Sequence, residues 1–225
     1  MNRDRSYAAV WGIAGLGWLA NGLLGLDAVN GTSGFYATEV AWLPVHALVL
    51  VGLLGLRRTP AIVESALGRA GIHIAIGGRV VFLAAEITAI AVGYDELALL
   101  PVAAVSTGLG MLIAGAAVVR ARRWQGWARW APVAMGAYPF IFMFPILAIT
   151  GKRPNLAVSL WGLTYIGIAA ALAAQMSPAH RSFDEHAAVT RSGPAATKGH
   201  GCGTATSDDE HDDHRGPATS RVRTR

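Results

Sequence analysis

The sequence predicts an all-α integral membrane protein: a bundle of six transmembrane helices followed by a disordered cytoplasmic C-terminal tail. Hydrophobic residues make up 53% of the 225 residues and charged residues only 15%, whereas soluble domains carry about 25% charged residues. The apolar residues are gathered into six long blocks rich in Leu, Ala, Gly and Val. Such blocks match the ~20 residues that cross a bilayer as helix, and they lack the alternation typical of a membrane β-barrel.

The six predicted spans fill residues 1–174 and are separated by short loops. They cover residues 7–26, 40–56, 71–92, 97–119, 130–150 and 156–174. The first span is too long for the apolar core of a signal peptide and lacks a clear cleavage site, so we expect it to remain as a helix. Pro44 lies in the first turn of the second span, where its missing N–H is harmless. Pro139 and Pro145 lie inside the fifth span and are expected to kink it.

The distribution of basic residues predicts the orientation. Nine Lys and Arg residues belong to the N-terminus and the second and fourth interhelical loops: Arg3, Arg5, Arg57, Arg58, Arg69, Arg120, Arg122, Arg123 and Arg129. The opposite loops hold Lys152 and Arg153 against four acids, Asp27, Glu39, Asp95 and Glu96. The positive-inside rule therefore places both termini in the cytoplasm of a cell-membrane protein. Aromatic residues suggest two interfacial belts, Tyr7, Trp11, Trp124, Trp127 and Trp130 inside, and Phe35, Tyr36, Trp42 and Tyr94 outside.

Residues 175–225 form a separate region that is rich in Ser, Thr, Gly, Pro, His and charge. It holds almost no large apolar residues, so it cannot bury enough surface to offset the entropy of ordering. The stretch 198–214 contains His200, Cys202, His211 and His214 among five acids, which are possible metal ligands. We interpret it as a solvated polar tail, because one cysteine without a partner or scaffold does not define a metal site.

Several function classes find no support in the sequence. The tail's seven basic and seven acidic residues cancel, so the net charge of +5 reflects loop arginines and not a nucleic-acid interface. His46 and His73 lie at opposite depths, so they cannot ligate one haem. No H-E-x-x-H, Walker A or G-x-S-x-G motif is present. We therefore predict a protein that is not an enzyme and that uses no cofactor and no metal.

The third span is interrupted by three ionisable residues, His73, Arg79 and Glu86. A charge in hydrocarbon costs from ~2.5–3.5 kcal/mol on insertion scales to well above 10 kcal/mol in simulations, so each such group needs a partner or a role. Arg79 and Glu86 are seven residues apart, which returns them to one helix face about 10.5 Å apart along the axis.

Two polar residues on the preceding spans reach a similar depth. Counted from the outer ends of the first and second spans, Asn21 and His46 lie at about the same membrane depth as Glu86. Arg79 lies deeper, nearer the middle of its span. Consecutive helices joined by short loops are usually neighbours. The sequence therefore predicts a candidate ion- or substrate-binding cluster, opening outward, of Asn21, His46, Arg79 and Glu86. Further polar residues on the later spans are Ser106, Thr107, Tyr138, Ser159, Thr164 and Tyr165.

Two interpretations of this cluster stay open. As a site, Glu86 and His46 form a titratable pair that binds a proton, cation or small solute, with Arg79 as counter-charge. In the structural interpretation, Arg79–Glu86 and His46–Asn21 are hydrogen-bonded pairs that fix helix packing. Each pair stabilises the bundle by ~0.6–2 kcal/mol. The corresponding functions are a non-enzymatic scaffold, accessory or sensor component, or else a small-solute or proton-coupled transporter.

The predicted partners are the lipid bilayer and either a second copy of the chain or another protein. The small residues Ser106, Gly110 and Ala114 form a ridge at i, i+4 and i+8. Such ridges let helix backbones approach closely, either within one chain or between copies. We favour a contact within the chain.

Overall fold

The computed structural model describes residues 3–25, 29–94, 99–150 and 155–176. No strand occurs in these ranges, and six helices there are long and apolar enough to cross a membrane. Their bounds are Arg5–Leu24, Ser33–Leu56, Ala66–Val92, Leu99–Ala121, Gly126–Thr150 and Leu156–Gln175. The all-helical prediction with six apolar helices is confirmed. The predicted tail lies almost wholly outside the described residues, as does its candidate metal-binding stretch.

The elements follow one another in simple order along the chain. They are α1 (Arg3–Leu24), α2 (Ser33–Leu56), α3 (Pro60–Val63), α4 (Ala66–Val92), α5 (Leu99–Ala121), a 3₁₀ turn (Gly126–Trp130), α6 (Ala131–Tyr138), a π-helical turn (Pro139–Met143), α7 (Phe144–Thr150), α8 (Asn155–Leu160) and α9 (Gly162–Gln175).

The long helices form a closed ring. Each packs against the next, α1 on α2, α2 on α4, α4 on α5, α5 on α6 and α6 on α9, and α9 returns to α1. Short connections explain the sequential contacts. The ring gives the bundle a central interior to which every long helix contributes.

Glycines allow the closest helix approaches. A Cβ built on Gly15 would lie 2.8 Å from the carbonyl oxygen of Gly162, which holds α1 against α9. A Cβ built on Gly71 would lie 2.5 Å from the backbone nitrogen of Ala114 and 2.7 Å from the carbonyl oxygen of Gly110. Gly110 and Ala114 of the predicted ridge on α5 thus pack within the chain against α4.

Two helices begin earlier than the sequence pattern indicated, and both starts are capped. The side chain of Thr32 accepts a hydrogen bond from the backbone N–H of Phe35, and Ser65 accepts one from Gly68. A polar N-cap satisfies backbone donors that would otherwise lack partners. The early start of α2 corrects the placement of Glu39, which was assigned to an outer loop. Glu39 lies within the helix and is buried.

The fifth membrane-length helix departs from regular α geometry at one of its two prolines. The helix changes to π geometry at Pro139, where the backbone N–H of Phe144 donates to the Pro139 carbonyl five residues back. A proline ring cannot donate to the preceding turn, and a π-turn re-pairs the backbone around it. The sixth membrane-length helix is also interrupted, by a turn at Trp161 between α8 and α9.

One end of the bundle gathers the arginine-rich loops. Tyr7 near the start of α1, Arg58 after α2, Trp124 after α5 and Gln175 at the end of α9 line one cavity there. At this end Arg58 donates to the Tyr7 hydroxyl at 2.8 Å, and Arg123 pairs with Glu64. We call it the basic end.

The residues of the predicted aromatic belts differ in their exposure. Trp127, Trp130, Tyr36 and Tyr94 are exposed, as interfacial residues would be. Trp11, Phe35, Trp42 and Trp124 are instead buried in the bundle. Hydropathy alone does not distinguish an aromatic residue at the water boundary from one that faces a helix interior.

Candidate functional site

Arg79 lies at the centre of the ring on α4 and is fully buried, with no exposed surface. It shares one helix face with Phe82 and Glu86, at intervals of three and seven residues, and this face points inward. Glu86 is 2% exposed. His73, the third ionisable residue of α4, is exposed on the outside of the bundle and takes no part in the cluster.

His46 on α2 bridges the two charged residues of α4. Its Nδ1 lies 3.3 Å from Nη1 of Arg79, and its Nε2 lies 3.3 Å from Oε1 of Glu86. An arginine guanidinium has donors only, so Nδ1 of His46 must accept. The neutral imidazole then carries its proton on Nε2 and donates it to the carboxylate. The tautomer is assigned from these partners.

The three residues therefore form a relay from guanidinium to imidazole to carboxyl group, and with Glu86 ionised and His46 neutral its charges sum to zero. We call Arg79, His46 and Glu86 the buried relay. Charges removed from water are tolerated when they are paired and hydrogen-bonded. A proton added to Nδ1 of His46 would remove the acceptor for Arg79 and set two cations side by side. Protonation of His46 would thus remove one of the two hydrogen bonds by which this residue joins α2 to α4.

Tyr165 extends the relay to α9. Nη2 of Arg79 donates to its hydroxyl, and Tyr165 is fully buried. The guanidinium is thereby held by side chains from α2 and α9 while it is anchored on α4. Nε of Arg79 is buried without a hydrogen-bond partner among the described residues.

Four aromatic rings enclose the guanidinium. Its Cζ lies 4.8–5.3 Å from the centroids of Trp18, Phe82, Trp161 and Tyr165. Cation–π contacts at such distances contribute about 0.5–1 kcal/mol when exposed and about 2 kcal/mol or more when desolvated. We call these four rings the aromatic box. They provide an apolar environment that nevertheless stabilises a positive charge.

The box is itself fixed by hydrogen bonds and ring contacts. Trp18 Nε1 donates to the Val158 carbonyl at 2.6 Å, and Trp161 Nε1 donates to the Met135 carbonyl at 3.0 Å. The His46 ring stacks on Phe82 with centroids 4.9 Å apart. A buried indole N–H normally finds such an acceptor. The rings are therefore oriented by α6 and α8 as well as by their own helices.

The fourth predicted residue, Asn21, takes a different partner. Asn21 is 8% exposed on α1, and its Nδ2 donates to the Thr38 carbonyl at 3.2 Å. Asn21 thus ties α1 to the first turns of α2. The structure brings His46, Arg79 and Glu86 together as the sequence predicted, and it places Asn21 at an adjacent helix contact.

The other polar residues of the later spans are dispersed, apart from Tyr165. Tyr138 donates to the Ala157 carbonyl at 2.9 Å, and Thr164 donates to the Trp161 carbonyl at 2.7 Å. The Thr107 hydroxyl is buried without a hydrogen-bond partner among the described residues. The hydroxyls of Tyr138 and Thr164 thus bind backbone carbonyls and do not extend the relay.

Glu39 is a second buried carboxylate that the sequence pattern did not assign to the interior. It is 3% exposed and shares a face of α2 with Trp42 and His46, which follow it by three and seven residues. It lies about 10.5 Å from His46 along the helix axis. Titratable side chains therefore line α2 from the relay toward the end of the bundle opposite the basic end.

The predicted outward opening is not seen at the relay. Its residues are at most 2% exposed. Two cavities among the described residues lie near the basic end, and neither includes a relay residue. Aromatic side chains fill the space where an open cluster would hold water.

Sequence reasoning missed three members of the aromatic box, Trp18, Phe82 and Trp161. The helical spacing contained the signal, because each side chain of the cluster has an aromatic neighbour on its own face. Phe82 follows Arg79 by three residues, and Tyr165 follows Trp161 by four. Side chains at i, i+3 and i+4 meet on a helix surface.

Comparisons with protein-family models, curated proteins and solved structures find no match for this chain. The function proposed below therefore rests on the chemistry of the chain itself.

Proposed function

We propose that the chain is a multi-pass integral membrane protein of the cell membrane that acts without catalysis, as a scaffold, accessory or sensor component. In this proposal the buried relay locks the helix ring in one arrangement. The observation that carries it is the enclosure of Arg79, which is fully buried and joined to His46 on α2, Tyr165 on α9 and Trp18 on α1.

The outer surface supports the membrane location. Large apolar side chains are exposed along every membrane-length helix: Ile13, Leu16, Val51, Val80, Ile87, Val102, Leu109, Ile141 and Leu163. Exposed apolar area on this scale would drive a soluble protein to associate. Glu39, Arg79 and Glu86, by contrast, are buried in the interior of the bundle. This arrangement is expected for charged side chains of membrane-spanning helices that are surrounded by lipid.

The arginine-rich loops support the orientation. They converge at the basic end, where Tyr7 of the first helix and Gln175 of the last line the same cavity. The positive-inside rule assigns that end, with both chain termini, to the cytoplasm. Cysteine substitutions at Arg57 and at Gly31, labelled from one side of sealed vesicles, test this assignment. Labelling of both positions from the same side would contradict it.

The chemistry of the relay favours a structural role over a catalytic or transport role. Arg79 is hydrogen-bonded to both His46 and Tyr165, His46 is also bonded to Glu86, and the relay residues are at most 2% exposed. A buried network of hydrogen-bonded side chains rigidifies a core and specifies its packing.

A flux measurement tests the proposal. Protein reconstituted into liposomes with an internal pH-sensitive dye is given an imposed proton gradient. We expect the same rate of internal acidification as in empty liposomes, because the relay has no aqueous connection in this arrangement. Proton flux in the wild type that Glu86→Gln abolishes would replace the scaffold proposal with the transporter.

A proton-coupled small-solute transporter remains the second candidate because of the His46 tautomer. A proton arriving at Nδ1 would break the bond to Arg79 and leave His46 paired with Glu86 alone, so protonation would change the contact between α2 and α4. Buried Glu39, two turns from His46 on the same face, offers a proton-binding group between the relay and the outer end. The Glu86→Gln flux measurement separates the two functions.

A further inference from the structure

A cavity of about 320 Å³ opens at the basic end, away from the buried relay. It lies between the start of α1, the end of α2, the loop after α5 and the end of α9. Its walls include Tyr7, Arg58, Thr59, Trp124, Leu172 and Gln175. The volume is at the lower end of the range for small-molecule sites, about 300–1,000 Å³.

Two side chains on its walls, Arg58 and Gln175, carry more hydrogen-bond donors than the wall itself satisfies. Arg58 donates Nη1 to the Tyr7 hydroxyl at 2.8 Å, and no carboxylate among the described residues pairs with this guanidinium. Nε2 of Gln175 is buried without a hydrogen-bond partner in the described part of the chain. Buried donors without partners are uncommon and indicate an acceptor that completes the site.

The remaining wall is apolar and aromatic. Leu56, Trp124, Leu172 and Met176 face the same space, and Trp124 is only 6% exposed. A cationic fork and an amide donor above an apolar wall match a ligand with an anionic head and a hydrocarbon body. Arginine is the side chain whose planar donors best fit the oxygens of a phosphate.

We propose that this cavity binds the phosphate group of an anionic glycerophospholipid from the cytoplasmic leaflet. The phosphate accepts from Arg58 and Gln175, and the glycerol and upper acyl carbons contact Trp124 and Leu172. The site relies on the membrane location proposed above for the source of its ligand, but not on the role of the relay. The group that the site recognises is a phosphate ester, so a soluble phosphate ester is the competing candidate for its ligand.

Native mass spectrometry of the full-length protein in detergent tests the site. The probes are dioleoyl phosphatidylglycerol, dioleoyl phosphatidylcholine and soluble glycerol 3-phosphate. We expect phosphatidylglycerol to bind more tightly than phosphatidylcholine, and Arg58→Gln to weaken phosphatidylglycerol binding by about tenfold or more, because a hydrogen bond to a charged group is lost. Glycerol 3-phosphate competing at similar concentrations would assign the site to a soluble ester and overturn the lipid assignment.

The neighbouring arginine provides the matched control. Arg57 is exposed on the same turn and does not line the cavity, so Arg57→Gln removes the same charge without touching the site. It should change binding by less than about twofold, and Gln175→Leu should weaken binding without any change in charge. Equal losses from Arg57→Gln and Arg58→Gln would show general attraction to a basic surface and overturn the proposal. Circular dichroism of each variant confirms that the helices remain folded.

Discussion

Replacing Arg79 by Leu should strongly destabilise the protein, and the loss should depend on Glu86. The substitution removes the donors to His46 and Tyr165 and the cation held by four rings at 4.8–5.3 Å. It also leaves the carboxylate of Glu86 buried without its counter-charge. Breaking a buried ion pair by removing one partner costs about 3–5 kcal/mol.

A double-mutant cycle measures the dependence. Glu86→Gln alone leaves a buried guanidinium with a net charge, whereas Arg79→Leu combined with Glu86→Gln restores a neutral interior. We therefore expect the double variant to be at least about 2 kcal/mol more stable than the sum of the single losses predicts, within the range measured for coupled residues. The assay is reversible unfolding in mixed detergent micelles, followed by loss of helical circular dichroism.

Arg69→Leu is the control for the loss of an arginine from α4. Arg69 is exposed on the same helix and contacts the Val63 carbonyl near the bundle end. Its replacement should cost less than about 1 kcal/mol, as surface substitutions usually do. Arg79 and Glu86 are not coupled if Arg79→Leu is no more damaging than Arg69→Leu, or if the free-energy losses of Arg79→Leu and Glu86→Gln add within about 0.5 kcal/mol.

Three further predictions concern the His46 bridge, the Tyr165 hydroxyl and the contact of α4 with α5. His46→Gln should lower the free energy of unfolding by less than about 1.5 kcal/mol, because an amide both accepts and donates hydrogen bonds. His46→Leu should lower it by about 3 kcal/mol or more. Equal losses would show that His46 does not bridge Arg79 and Glu86. Tyr165→Phe should cost about 1–3 kcal/mol by orphaning a donor of Arg79, and an unchanged unfolding midpoint would show that the hydroxyl is dispensable. Gly71→Ala should destabilise the contact of α4 with α5. Gly77→Ala, whose new Cβ has no neighbouring atom within 4 Å, should stabilise the helix by up to about 1 kcal/mol. Thermal melting should therefore give Gly77→Ala the higher melting temperature, and the reverse order would refute the packing of α4 on α5.

The sequence predicted the helices well because hydropathy depends on composition, and composition is local. Helix starts were less accurate. Residues 33–39 mix polar and apolar side chains, so their helical state depends on the cap at Thr32 and on packing against neighbouring helices. Glu39 was therefore assigned to a loop, although the folded bundle buries it.

The relay was predicted in part for a different reason. Depth counted along each helix brought His46 level with Glu86, and burial cost indicated that Arg79 needs a partner. Depth does not give the rotation of a helix about its axis, so Asn21 was placed in the cluster although it contacts Thr38. The aromatic box depends on contacts between α1, α4 and α9, which no local pattern specifies.

Nitrogen NMR of His46 in lipid bilayers at pH 7 tests the central claim most directly. Histidine is labelled with ¹⁵N, and the His46 signals are identified by their absence in His46→Gln. The relay predicts one nitrogen that carries a proton, Nε2, and one that does not, Nδ1, because Nδ1 accepts from Arg79. A doubly protonated ring, or a proton on Nδ1, would show that Arg79, His46 and Glu86 are not joined in this way.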